Sequence, residues 1–210
     1  MRETILQELR GHAPFTLFGA ATGVAIMLLC RDLPHHASRS IFYFLHPAHV
    51  LLGALVTSSM YEKHAEGASL WALLGVGFVG AVGLATLSDS LLPYLCEAAL
   101  KMPERELHIG CVEKWWLVNP IALIGLAVAY YRPITRLPHA GHVLISTWAS
   151  LFHILMALGW MDLSVPKVLF IFIMLFVAVW LPCCFSDIVF PLLFVKSGGK
   201  KVCAHSCCRH

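Results

Sequence analysis

Charged residues are so sparse along this chain that they act as punctuation, and the apolar stretches between them set the architecture. A helix that crosses a hydrocarbon core of roughly 30 Å needs about 20 apolar residues, so uncharged runs of about 17 or more are the units to look for. Six runs that are uncharged or nearly so occur: Pro14 to Cys30, about Ile41 to Tyr61, Ser69 to Cys96, Trp115 to Tyr131, Ala140 to Met161 and Val165 to Val195, the third enclosing Asp89 and the last Lys167 and Asp187. They predict an all-α polytopic membrane protein, a single transmembrane domain over residues 1–210 with six transmembrane helices. The last run is long enough to tilt or break, and Pro182 is its break point, because proline removes a backbone donor and crowds the preceding turn. Ahead of the first run, Ile5, Leu6 and Leu9 share one side of a short amphipathic lead-in. Glu3 and Glu8 beside Arg2 and Arg10, with no small-residue cleavage site after them, argue against a secretory signal peptide.

Composition narrows the class further. Apolar residues make up 59% of the chain and charged residues 13%, against roughly 25% charged in a soluble domain. The formal charge of +3 is small and interrupted by apolar blocks, so nucleic acid is not an expected partner. With six spans, one side carries Arg2, Arg10, Lys63, Arg132, Arg136, Lys196, Lys200, Lys201 and Arg209. The other carries Arg31, Arg39, Lys101, Arg105, Lys114 and Lys167. The positive-inside rule then expects both termini in the cytoplasm, in the plasma membrane. Trp115, Trp116 and Trp160 suit the aromatic belt at the headgroups. The eight cysteines lack framework spacing, so no disulfide scaffold is expected.

Two short motifs recur in the same order. His46-Pro-Ala-His49-Val-Leu-Leu opens the second run, and His139-Ala-Gly-His142-Val-Leu-Ile opens the fifth. Near the ends of the third and sixth, Ser88-Asp89-Ser-Leu-Leu-Pro93 parallels Ser186-Asp187-Ile-Val-Phe-Pro191. The offsets are 93 and 98 residues. Duplication of a three-helix unit follows, with repeat one over about 12–100 and repeat two over about 112–196. Three spans per unit is an odd number, so the copies enter the membrane in opposite senses as inverted repeats, an arrangement common among secondary transporters.

The repeated residues carry the candidate chemistry. His46 and His49 are three apart on one helix face, and neutral imidazoles so placed can close on one ion. Asp89 is expected beside them, and two imidazoles with a carboxylate suit Zn²⁺ first, then Fe²⁺, Mn²⁺, Co²⁺ or Ni²⁺. The repeat makes His139, His142 and Asp187 the matching set near the opposite membrane face. His153, three turns beyond His142, continues that helix face inward, and Met60 is its counterpart in the first repeat. An intramembrane carboxylate costs roughly 2.5 to 3.5 kcal/mol on insertion scales, so Asp89 and Asp187 read as functional. Glu62, His64 and Glu66, together with Glu104, Glu106, His108, Cys111 and Glu113, read as solvated loop groups at a vestibule, and His35 and His36 as an exposed pair. Over residues 197–210, Cys203, His205, Cys207, Cys208 and His210 form a flexible Cys/His tail, suited to soft-metal capture or to lipidation. Gly75, Gly77, Gly80 and Gly83 spell a glycine pattern inside an apolar span, where small residues allow close helix approach and do not form a dinucleotide fingerprint.

These features define a membrane transporter, or channel-like permease, for a divalent transition-metal cation. Its partners are the lipid bilayer and the metal ion, with a homo-oligomer as an open option. One alternative is an intramembrane zinc hydrolase acting on a lipid or peptide bond, with Ser58, Ser59, Ser146 or Ser150 near the metal. In residue types alone this resembles the alkaline ceramidase and adiponectin-receptor group, which combine three His, an Asp and a Ser around zinc, although no ordered motif matches and a duplicated site is not part of that pattern. A further alternative is a bis-histidine haem protein using His46 or His49 with His139, His142 or His153.

Overall fold

The computed structural model describes residues 2–65, 69–132 and 137–194, with side chains from residue 13 onward except those of 137–140, 184, 187, 188 and 192. The expected Cys/His tail and Glu66 lie outside the described residues, as do the side chains of the amphipathic lead-in. All the described secondary structure is helical. Its elements are α1 (Arg2–Leu29), α2 (His35–His64), α3 (Leu70–Ala99), α4 (Trp115–Tyr131), α5 (Leu137–Leu158) and α6 (Val165–Cys184). Beyond Cys184 the chain continues through a π-helical turn, Phe185–Val189, into Phe190–Leu193.

Four helical segments, His35–His64, Leu70–Ala99, Gly141–Leu158 and Val165–Cys183, are long and apolar enough to cross a membrane, as expected of an integral membrane protein. The apolar stretches Ala13–Leu29 and Trp115–Tyr131 are shorter. The 17 residues of α4 reach only about 25 Å at 1.5 Å per residue, less than the hydrocarbon thickness. Counting uncharged runs therefore gives six segments where length and hydropathy together give four. The outside of the bundle is apolar, with Phe44 75%, Trp71 80% and Trp160 99% exposed. The inside holds His46, His49, Ser88, Asp89, Glu97, Ser146, Ser150 and His153, all buried. This inverts the polarity of a water-soluble protein and suits lipid as the solvent.

α2 begins at His35, well before the uncharged run from which a second span was expected. Arg39 ends that run in sequence but not the helix, because its guanidinium folds onto Glu113 at 3.2 Å. His46 and His49 consequently lie in the middle of a 30-residue helix. α2 packs along α4 and α5, while α1 packs on α5 and α6. α2 and α5 run antiparallel: the His49 ring meets His142, and Phe42, two turns earlier, meets His153. Close approach depends on glycine at two contacts. A Cβ on Gly77 of α3 would lie 2.1 Å from Ser58 Oγ, and one on Gly125 of α4 would lie 2.7 Å from the Leu51 carbonyl oxygen.

Among the described residues three π-helical turns occur; Val79–Gly83 lies in α3 with no proline after it, and the other two fall at matching places. Leu87–Leu91 in α3 and Phe185–Val189 after α6 are both π-helical, and each ends two residues before a proline, Pro93 or Pro191. Proline lacks the N–H that would reach back to the carbonyl four residues earlier, so the helix relaxes into the wider pitch there. Each of these two matching turns carries a Ser-Asp pair.

Candidate metal centre

Asp89 is the hub of the buried polar seam. Its Oδ2 accepts from His46 Nδ1 at 3.0 Å and from His49 Nδ1 at 2.6 Å. Its Oδ1 accepts from Ser88 Oγ at 2.7 Å and from Ser146 Oγ at 3.0 Å. Sinking a carboxylate into the bilayer costs about 2.5–3.5 kcal/mol, and four hydrogen bonds to a charged group, at about 1.5–3 kcal/mol each, offset that cost. The π-helical turn brings Ser88, Asp89 and Ser90 inward together, all three buried. Ser150 closes the back of the seam by donating to the Ser88 carbonyl at 3.0 Å and to the Ser146 carbonyl at 2.9 Å.

An ionised Asp89 fixes the tautomer of both imidazoles. Each presents Nδ1–H to the carboxylate, which leaves the Nε2 lone pair as its donor site; a carboxylate behind a ligating histidine holds a ring for a metal in this way. On the other side of His49 stands the His142 ring, with centroids 4.4 Å apart. Cys183 of α6 joins them: His49, His142 and Cys183 are all buried and place one ligand atom each within 4.8 Å of one another. Around one zinc, with bonds of about 2.0–2.3 Å, such atoms stand about 3.3–3.7 Å apart, so an inward adjustment of about 1 Å would complete the grip. The set is two borderline nitrogens and one soft sulfur, drawn from three helices, and it fits Zn²⁺ or a neighbouring transition ion better than Mg²⁺ or Ca²⁺.

The structure thus brings His46, His49 and Asp89 together, with Asp89 behind the imidazoles, its Oδ2 orienting both rings and its Oδ1 held by Ser88 and Ser146. His142 joins this same cluster, its ring against that of His49. The reason is geometric: α2 and α5 run antiparallel, so the middle of α2 meets the second turn of α5. His139 lies in the first turn of α5 and Asp187 in the π-helical turn Phe185–Val189, and the side chains of both lie outside the described residues. His153 is not part of the trio; its Nδ1 is 2.7 Å from Oε1 of Glu97, which is also fully buried. Sequence reasoning missed two residues. Cys183 is one of several cysteines in spans, and its signal is the spacing of four to Asp187, one helical turn. Glu97 is the charge that ended an apolar run, yet α3 continues past it to Ala99.

From the trio the polar seam extends toward the α3–α4 connection. The connection docks on α5 through Glu104 N and the Ala157 carbonyl, and the His108 backbone N–H then reaches His153 Nε2 at 3.4 Å. Gly110 makes room for His46: a Cβ there would lie 2.6 Å from His46 Nε2. At the outer end, Glu113 accepts from Tyr43 Oη and, at 3.2 Å, from Arg39, with His108 Nδ1 at 3.1 Å. Burial pushes the Glu113 carboxyl up, but the Tyr43 bond, the attraction of His108 and the Arg39 bond together hold it below its ordinary value. Among the described residues, Cys30, Cys96 and Cys111 are free thiols. Compared with known proteins, the chain matches no family model, no curated protein and no solved structure.

Proposed function

We propose that this protein is a transporter, or channel-like permease, that carries a divalent transition-metal cation across a membrane, with zinc the best-fitting ion. One observation carries the reading: His49, His142 and Cys183, from α2, α5 and α6, converge in a buried seam inside a bundle with an apolar exterior. A ligand set drawn from both three-helix halves changes its geometry when the halves move against each other, which is what alternating exposure to two compartments requires. Direct ring contact between His49 and His142 favours an ion over a porphyrin between them. The proposed assembly has six spans, with the 17-residue α4 and the apolar part of α1 extended by interfacial residues. Both termini lie in the cytoplasm of the plasma membrane, as the Lys and Arg distribution favours.

The inverted repeat belongs to the same proposal and draws support from reciprocal contacts. Ser150 of α5 donates to the Ser88 carbonyl, and Thr57, at the equivalent place on α2, donates to the Ser186 carbonyl at 3.3 Å. The two matching π-helical turns are offset by the same 98 residues as the Ser-Asp pairs within them. α1 packs on α5 and α6 as α4 packs on α2 and α3. The test is zinc flux into proteoliposomes holding the purified full chain. Wild type carries zinc, and His49→Ala and His142→Ala each abolish flux while the protein stays folded; undiminished flux in both variants would refute the transport site.

A further inference from the structure

The metal trio leaves one buried acid–base couple unused. Glu97 and His153 are both 0% exposed in their side chains and stand 2.7 Å apart. His153 Nε2 faces the His108 backbone N–H, so a neutral His153 carries its proton on Nδ1 and donates it to Glu97 Oε1. The other carboxylate oxygen, Glu97 Oε2, is buried without a hydrogen-bond partner. In this arrangement the couple holds one negative charge deep in the protein and offers a single vacant place for a proton, on Oε2. Protonation there makes the couple neutral, which a low-dielectric surround favours.

Its surroundings connect it both to the metal centre and to the outside. Phe42 of α2 lies between the His46 and His153 rings, stacked on the first at 5.4 Å and edge-on to the second at 5.3 Å. α2 also brings Asp89-bound His46 to this side, with Tyr43 and Arg39 farther out. α3 contributes Asp89 and Cys96. The connection contributes His108, its ring 5.6 Å from His153, with Glu106 and Glu113 on the ring's polar edge. α6 faces this part of α3 and α5 with Met174, Leu175 and Ala178. A series of polar groups thus leads from Glu97 through His153 and His108 to the half-buried Glu113. At the aligned sequence positions, Met60 stands in place of His153 and Val195 in place of Glu97.

We infer that the Glu97–His153 couple is a proton-binding site through which the protein exchanges a proton for its metal ion. The inference rests on the metal-transport reading. A divalent cation at His49, His142 and Cys183 raises the local positive potential and drives the proton off Glu97 Oε2; the O–H bond breaks and the proton leaves as hydronium on the Glu113 side. When the metal departs, a proton from water re-forms that bond. No electron is transferred, and by linkage each ion weakens the binding of the other.

The test uses proteoliposomes of the full chain loaded with a zinc-sensitive dye and a pH dye, under an imposed zinc gradient. In wild type, zinc uptake drives proton efflux. Glu97→Gln, which has the charge of the protonated couple, binds zinc with the weaker, proton-loaded affinity by equilibrium dialysis and carries zinc without the accompanying pH change, and Glu97→Asp restores part of it. His153→Gln is the second variant and loses the same proton movement. Wild-type zinc flux without a pH change, or an unchanged proton-to-zinc ratio in both Glu97→Gln and His153→Gln, overturns the proton site and leaves the transport reading standing. Absence of zinc flux in wild type overturns both.

Discussion

Aligned at offsets of 98 and 93 residues, the two three-helix halves put Ala85 opposite Cys183 and Gly53 opposite Ser146. The frames correspond, since both halves have a π-helical turn before a proline and a hydroxyl on the neighbouring helix bonded to the serine carbonyl of that turn. Among the described side chains the chemistry differs. The first half supplies Asp89, with two histidines on one carboxylate oxygen, and the second supplies the thiol. Ser146 donates to Asp89, whereas glycine at position 53 leaves room for the His142 ring, whose Nε2 would lie 3.3 Å from an added Cβ. Among the described side chains, the two proposed halves meet in one composite cluster, His49, His142 and Cys183.

That division of labour is open to attack first at the thiol. Cys183→Ala makes position 183 match Ala85 and removes the only sulfur donor of the trio. Zinc affinity should fall by more than the roughly 10- to 100-fold typical of losing an outer partner. Cys183→Ser should shift preference from zinc toward harder ions. Cys96→Ala is the control, because Cys96 lies in an apolar cluster with Met27 and Leu175. Isothermal titration with zinc and manganese reads all three, and a Cys183→Ala protein that binds zinc like the Cys96→Ala control would remove the thiol from the site.

The acid half comes next. Asp89→Asn keeps the shape but weakens the hold on His46 and His49, and zinc affinity should drop about 10- to 100-fold. Asp89→Ala leaves two buried imidazoles unoriented and should also lower stability by about 3–5 kcal/mol, the usual cost of taking one partner from a buried pair. Thermal unfolding in detergent separates the two effects. If Asp89→Ala unfolds at the wild-type temperature, the carboxylate is not the organiser of this seam.

Much of this frame was legible in the residues. Sparse charge gave the apolar helices, and the Ser-Asp-x-x-x-Pro recurrence marked where the matching widened turns fall, because the missing proline N–H is a local cause. His46 and His49 could be paired from helix periodicity, and Asp89 joined to them from its place near the same end of the neighbouring run. What escaped was the depth of the site and its shared character. Counting uncharged residues stops at Arg39 and Glu97, yet both side chains find partners, Glu113 and His153, far away in sequence. Residues read as loop charges, His108 and Glu113, turn inward onto that seam because the connection docks on α5. Cys183 has no counterpart in the first half, so the repeat could not point to it.

The frame itself is sharpened by glycine. Gly77→Ala brings a methyl group into Ser58, and Gly125→Ala brings one against the Leu51 carbonyl, so both should separate helices locally and destabilise by about 1–3 kcal/mol. Gly75→Ala meets nothing within 4 Å and should be neutral or slightly stabilising. Equal unfolding temperatures for Gly75→Ala and Gly77→Ala would contradict the close α2–α3 contact.

The smallest expected effect lies at the rim, where Glu113 joins Arg39, Tyr43 and His108. Its carboxyl is held below the ordinary value of 4.5, so the folded state binds that proton more weakly than the unfolded chain. The sign follows: the stabilisation is fully present above pH 4.5 and is lost as the pH falls through the lower folded-state value. Because the side chain is 30% exposed, solvent screening keeps the contribution within about 1 kcal/mol. Glu113→Gln should therefore unfold a few degrees below wild type at neutral pH, and the gap should close as the pH is lowered past 4.5. Unfolding curves for both proteins across that range provide the check: a gap that widens toward acid would mean that Glu113 is held by its proton and not by Arg39 and Tyr43.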